Sequence, residues 1–165
     1  MNTILVVSDI HYPDRISKIP DLSSYIKDVD AIFALGDFTS FDVLKYLDSF
    51  GKAVYSVYGN MDEMFIKSHL RDKFMLEIEG VSIALTHGNG GPSGIEGRVS
   101  KMFNKKFDAY VFGHTHQSLN EYFDDALFFN PGAISHITPS LGFLYVENKN
   151  VWGKIVFLWI HSKIA

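Results

Sequence analysis

Two histidines one residue apart, His114 and His116, close the run Gly113-His114-Thr115-His116 directly after the apolar segment Ala109 to Phe112. In extended backbone, residues i and i+2 face the same way, so both imidazoles are offered to one side where a buried strand becomes a loop. Paired neutral imidazoles suit a borderline divalent metal whose remaining ligands are carboxylate or amide oxygens. Such pairs also occur on solvated loops, so the meaning of this one depends on what the rest of the chain supplies. Four more polar clusters each end an apolar run: Asp9-x-His11, Gly36-Asp37, Gly59-Asn60-x-Asp62 and His87-Gly88. Singly they have plain explanations: Asp9 and Asp37 as helix caps or loop acids, Asn60 as a turn former, His87 as a hydrogen-bonded core histidine. Together, all at strand ends, they point to a metal site.

The chain of 165 residues is long enough to bury a core, and one domain over residues 1–165 is expected, with 47% apolar content. Its net charge is -4 and its lysines and arginines form no run, which argues against long nucleic acid as a standing partner. With no cysteine, thiolate zinc sites, iron-sulfur clusters, disulfides and a cysteine nucleophile are excluded, leaving His, Asp, Glu and Asn as ligands. The run Ile4 to Val7 stops at Ser8-Asp9 without a basic flank, unlike a signal peptide. Val151 to Ile160 is too short for a membrane span and is interrupted by Lys154. A cytoplasmic location is expected.

The elements that must position these residues follow from the pattern. Thr3 to Val7, Ala31 to Leu35 and Ala53 to Val57 read as buried parallel strands, delivering Asp9, Asp37 and Asn60 at one end, where α/β sheets bind ligands. Ile16 to Ile26 has helical spacing despite Pro20, and Phe41 to Leu47 a second helix with Ser40 as N-cap and Gly51 as stop. Phe74 to Ile78 and Val81 to Leu85 form a hairpin through Glu79-Gly80, ending at His87. Asn89 to Gly97, with four glycines, is expected to be an open, flexible rim, lacking the grammar of a phosphate-binding P-loop. A short helix at Val99 to Phe103 precedes strands at Ala109 to Phe112, Ala126 to Phe129, Phe143 to Glu147 and Lys154 to Ile160. The fold class is therefore α/β: a parallel half, then a more antiparallel half, as two sheets packed face to face with helices outside.

Ser8-Asp9-Ile10-His11, Gly36-Asp37, Gly59-Asn60-x-Asp62, His87-Gly88 and Gly113-His114-Thr115-His116, in this order, resemble the calcineurin-like metallophosphoesterase superfamily. Small size and Asn130-Pro131-Gly132 after the fifth block resemble its compact YfcE-type phosphodiesterases, a fold shared with a retromer scaffold subunit. The resemblance implies the metallophosphoesterase fold and two divalent ions, one held by Asp9, His11, Asp37 and His116, the other by Asp37, Asn60, His87 and His114. It also implies that Asp37 bridges them. Such a bridge is physically required, since two dications ~3.5 to 4 Å apart repel by roughly 17 to 19 kcal/mol at an effective dielectric of about 20. With Asp9, Asp37 and a shared hydroxide the site sums to +1, favouring an anionic phosphoester. The implied catalytic set is Asp37, Asn60, Asp62 and His87, with the hydroxide attacking phosphorus in line and Asp62 hydrogen-bonding a ligand imidazole. Manganese is the expected metal, although such mixed shells also accept Fe, Zn, Ni or Co.

The chain departs from that pattern in three places. Met61 stands where many relatives carry a histidine that protonates the leaving group, Asn89 replaces the second histidine of an HGH motif, and Ala133 replaces a serine. His69, His136 and His161 lie outside the motifs and read as surface or satisfied residues. Tyr12, Phe38, Phe41 and Tyr58 flank the motifs and suit either packing or stacking on a substrate base. The expected function is a phosphodiesterase, possessing phosphatase activity as an open question, acting on a small phosphoester. The alternative is a catalytically weak scaffold like the retromer subunit. A homo-oligomer is left open.

Overall fold

The computed structural model describes residues 1–158. Ten strands and four helices follow in the order β1 (Asn2–Val7), α1 (Ser23–Ile26), β2 (Ala31–Ala34), α2 (Phe41–Asp48), β3 (Ala53–Ser56), α3 (Met64–His69), β4 (Lys73–Ile78), β5 (Val81–Thr86), α4 (Ile95–Lys101), β6 (Ala109–Val111), β7 (Leu119–Phe123), β8 (Ala126–Asn130), β9 (Ser140–Glu147) and β10 (Asn150–Phe157). One five-stranded sheet has the order β10-β9-β1-β2-β3, the other β4-β5-β6-β8-β7.

The apolar runs are continuous because both strand faces are covered. On β1, Ile4 and Val6 point between the sheets and meet Ile83, Leu85, Val111 and Phe129, while Leu5 and Val7 face outward onto Leu22, Ile26, Val43 and Leu47. The second sheet repeats this with Ala84, Tyr110 and Phe128 under Ile95 and Val99 of α4. Burying each large aliphatic side chain contributes about 1.5–3 kcal/mol, so the two sheets and their helices form a stiff frame for the loops at the strand ends.

Both sheets are mixed. β1, β2 and β3 run parallel, but so do β5, β6 and β8, and the C-terminal hairpin β9-β10 joins the first sheet by pairing antiparallel with β1. Along the chain the first half is parallel and the second more antiparallel, as expected, although the second half also contains the parallel run β5-β6-β8. Ser40 caps α2 by accepting from the Asp42 amide, and the β4-β5 turn places Glu79 and Gly80 at φ +47° and +78°, as a tight hairpin demands.

Several expectations need correction. Helix is confined to Ser23–Ile26 within the stretch Ile16 to Ile26, because Pro20 cannot donate to a preceding turn. The helix expected at Val99 to Phe103 starts earlier, at Ile95, whose side chain is buried. The glycine loop before it is exposed from Asn89 to Gly94, as expected, but it is tied down: Arg98 donates from Nε to the Asn89 carbonyl (3.1 Å), from Nη1 to that of Ser93 (2.8 Å), and from Nη2 to that of Gly91. The last strand begins at Asn150, four residues before the expected start; Ile160 and His161 lie outside the described residues.

Candidate metal centre

The loops after β1, β2, β3, β5 and β6 meet at one edge, where the two sheets come together. Asp9 hangs on the Gly36 carbonyl through its amide (3.1 Å), and the His11 amide donates to the Asp37 carbonyl (2.9 Å), so the first two loops are stitched side by side. The Gly113 amide donates to the His87 carbonyl (3.0 Å) in the same way across the second sheet. Asp9 Oδ2 accepts from the Ser8 hydroxyl (2.6 Å) and from the His114 amide (2.9 Å), joining the sheets. Its other oxygen, Oδ1, is buried and accepts no hydrogen bond. It lies 3.0 Å from His116 Nε2, out of hydrogen-bond alignment, and 3.7 Å from His11 Nε2.

Asp37 faces both groups of side chains. Its Oδ2 is 3.6 Å from His11 Nε2 and 3.3 Å from His87 Nε2, while Oδ1 accepts from the Met61 amide (2.7 Å). His87 donates from Nδ1 to the Leu35 carbonyl (2.6 Å), which leaves its Nε2 lone pair directed at Asp37 and at Asn60 Oδ1, 3.1 Å away. The same Asn60 oxygen lies 2.9 Å from His114 Nδ1. Asp9, His11 and His116, and likewise Asp9, Asp37 and His87, each place ligand atoms within 4.8 Å of one another. All seven expected ligands are thus brought together.

Asp62 behaves differently from expectation. It is 3% exposed and touches no imidazole; Oδ1 accepts from the amides of Phe38 (2.7 Å) and Thr39 (2.9 Å), and Oδ2 from those of Asp37 (3.0 Å) and Gly59 (2.8 Å). The turn after Asn60 directs the carboxylate beneath the Asp37 loop, where four amides would otherwise lack acceptors. That support is needed. Asp9, His11, Asp37, His114 and His116 all have left-handed backbones, with φ between +48° and +69°. Asp and His tolerate this better than most residues, yet each still stores on the order of 1 kcal/mol. Two glycines complete the packing: a Cβ on Gly59 would collide with the Asp37 carboxylate, and one on Gly113 with Ser8 Oγ.

Electrostatically the cluster is prepared for positive charge. Burial pushes the Asp9 carboxyl up, but the adjacent imidazoles of His11 and His116, the charge of His87 and the Ser8 hydroxyl more than reverse this and hold it well below the usual range. Burial acts the same way on Asp37, and His87 together with the Met61 amide lowers it. For His87 itself, burial pushes the imidazole down, whereas Asp37, Asp9 and the Leu35 carbonyl raise it above its ordinary value. His114 is lowered, by burial and then by the charge of His87.

A profile of the calcineurin-like phosphoesterase superfamily domain matches residues 1–149. The chain belongs to that superfamily. This phosphoesterase is 32% identical to a probable metallophosphoesterase of Methanothermobacter thermautotrophicus, the match covering 92% of this chain and 90% of that protein. It is 28% identical to a phosphodiesterase of Methanocaldococcus jannaschii over 87% of this chain and 93% of that protein. Its fold is that of Chaetomium thermophilum Vps29, with a TM-score of 0.79, 20% identity, and 96% and 97% of the two chains covered; that likeness concerns fold alone. Membership with these relatives makes the chain a metal-dependent phosphoesterase. The residues fit divalent cations: a buried carboxylate oxygen without a hydrogen bond faces imidazole nitrogens, and His87 presents a fixed lone pair.

Some neighbours of the phosphoesterase site escaped the sequence reading. Asn130 donates to the Gly113 carbonyl (2.7 Å) and to Thr115 Oγ1 (3.1 Å), pinning the histidine loop; the Asn130-Pro131-Gly132 block was the available signal. Lys67 holds the Asn60 carbonyl at 2.9 Å. His136, read as a surface residue, is exposed but stands edge-on to His116 with ring centroids 6.5 Å apart, and Arg15 lies against the same ring. Among the flanking aromatics, packing prevails: Phe38 is fully buried, and Tyr12, Phe41 and Tyr58 pack against the outer core of the first sheet.

Proposed function

We propose that this phosphoesterase hydrolyses small phosphodiesters at a two-cation centre held by Asp9, His11, Asp37 and His116 on one side and Asp37, Asn60, His87 and His114 on the other. The observation that supports this reading is Asp9 Oδ1, an ionised oxygen buried without a hydrogen bond and pointed at two imidazoles. Such a group costs several kcal/mol in water-excluded protein unless a cation takes it. Bound divalent ions, manganese first among Mn, Fe, Zn, Ni and Co, supply an activated water and neutralise charge on the phosphoryl oxygens. The chain's own part is to hold them: Asp37 spans both sides, His87 is fixed in one tautomer by Leu35, and Asn60 offers oxygen without adding charge. Asp62 acts from beneath by keeping the Asp37 turn in place.

Met61, 51% exposed beside Asn60, offers no proton to a departing alkoxide. Esters with good leaving groups therefore suit the site, and bis-aryl phosphates should turn over much faster than dialkyl phosphates. The test is hydrolysis of a bis-aryl phosphate with and without Mn²⁺ by the intact chain, Asp37→Ala and His116→Ala. Turnover that needs manganese and is lost in both variants supports the reading. Absence of any metal-dependent turnover in the intact chain would move the balance to a scaffold role. No helix among the described residues is long and apolar enough to cross a membrane.

A further inference from the structure

Arg15 stands at the mouth of the cluster. Its amide closes a turn on the His11 carbonyl (2.8 Å), which carries the exposed guanidinium back over the site, with Nη1 3.4 Å from His116 Nδ1. Among the described residues no carboxylate lies within ion-pair distance of it. An arginine with only an imidazole for company, at the edge of a site for anions, has donors to spare.

We propose that Arg15 is a substrate-binding residue, its exposed guanidinium placed beside His116 at the mouth of the cluster to take an anionic oxygen of the phosphoester. The proposal rests on the phosphoesterase reading of the site and adds a recognition element supplied by the chain itself. Arginine is suited to the task because its planar fork pairs with two phosphoryl oxygens at once, which a lysine cannot do.

The probe is inorganic phosphate, titrated calorimetrically onto Mn²⁺-loaded intact chain, Arg15→Ala and Arg15→Lys, with Mn²⁺ titrations and bis-aryl phosphate kinetics in parallel. Arg15→Ala should weaken phosphate binding about ten- to a hundredfold and raise KM by more than it lowers kcat, with Arg15→Lys between the two and Mn²⁺ affinity retained. Phosphate affinity of Arg15→Ala within about twofold of the intact chain, in a protein that still hydrolyses the diester, would overturn the assignment of Arg15 alone. An intact chain that binds neither Mn²⁺ nor phosphate would overturn this and the phosphoesterase reading together.

Discussion

The two sides of the cluster differ in the charge and burial of the oxygen each presents. On the Asp9 side, an ionised oxygen and two ring nitrogens converge within 3.0–3.7 Å, and Asp9 Oδ1 accepts no hydrogen bond. On the other side Asn60 Oδ1 is neutral, belongs to a more exposed residue, and lies 3.1 and 2.9 Å from His87 Nε2 and His114 Nδ1. The first side offers a buried, ionised oxygen; the second offers a neutral one on an exposed residue. The contrast teaches that the sides should fill unequally, the Asp9 side first and tightly, the Asn60 side later and more weakly.

Four experiments break or sharpen that contrast. The largest effect belongs to Asp37→Ala, which removes a carboxylate whose Oδ2 faces His11 on one side and His87 on the other: metal-dependent hydrolysis should fall by more than about a hundredfold, with calorimetry showing both Mn²⁺ binding events lost. Next, Asp9→Asn should abolish the tight event, whereas Asn60→Ala should weaken only the loose one, by about ten- to a hundredfold; equal effects on a single event would erase the distinction. Asp62→Ala touches neither side directly but strands four amides, and should cost at least about 3 kcal/mol in urea denaturation of the metal-free chain.

The smallest effect is the pH dependence. Because folding raises the His87 pKa above its ordinary 6.5, its stabilisation is fully present below that value and is lost as pH rises through the folded pKa, at no more than about 1.4 kcal/mol per pH unit. Metal-free stability should therefore decline as pH rises beyond 6.5 and through the raised folded pKa, and the decline should vanish in His87→Gln. With Mn²⁺ bound the sign should reverse, since the cation competes with protons for the same imidazoles.

Much of this was legible along the chain, and the gaps have physical causes. Strands covered on both faces leave unbroken apolar runs, and such runs ending in Asp, His or Asn pointed to the side chains that the fold gathers at one edge. β7 escaped because Leu119-Asn120-Glu121-Tyr122-Phe123 is an edge strand with three exposed central residues, and α3 because it buries only Ile66. Sheet membership was hidden since the pairing of β9 with β1 joins positions such as Val146 and Asn2, which no local pattern connects. Spacing placed Asp62 near Asn60 but carries no information on which way a turn directs a carboxylate. Arg15 and His136 become neighbours of His116 only after distant loops have met.

β1, which presents Asp9 and His11, lies in the interior of its sheet, between β2 from early in the chain and β9 from near its end. A nascent polypeptide leaving the ribosome therefore keeps one flank of this strand bare until β9 has been made. Cation capture should accordingly be a late event of synthesis, and fragments halted before β9 should expose a sticky strand edge rather than a working half-enzyme.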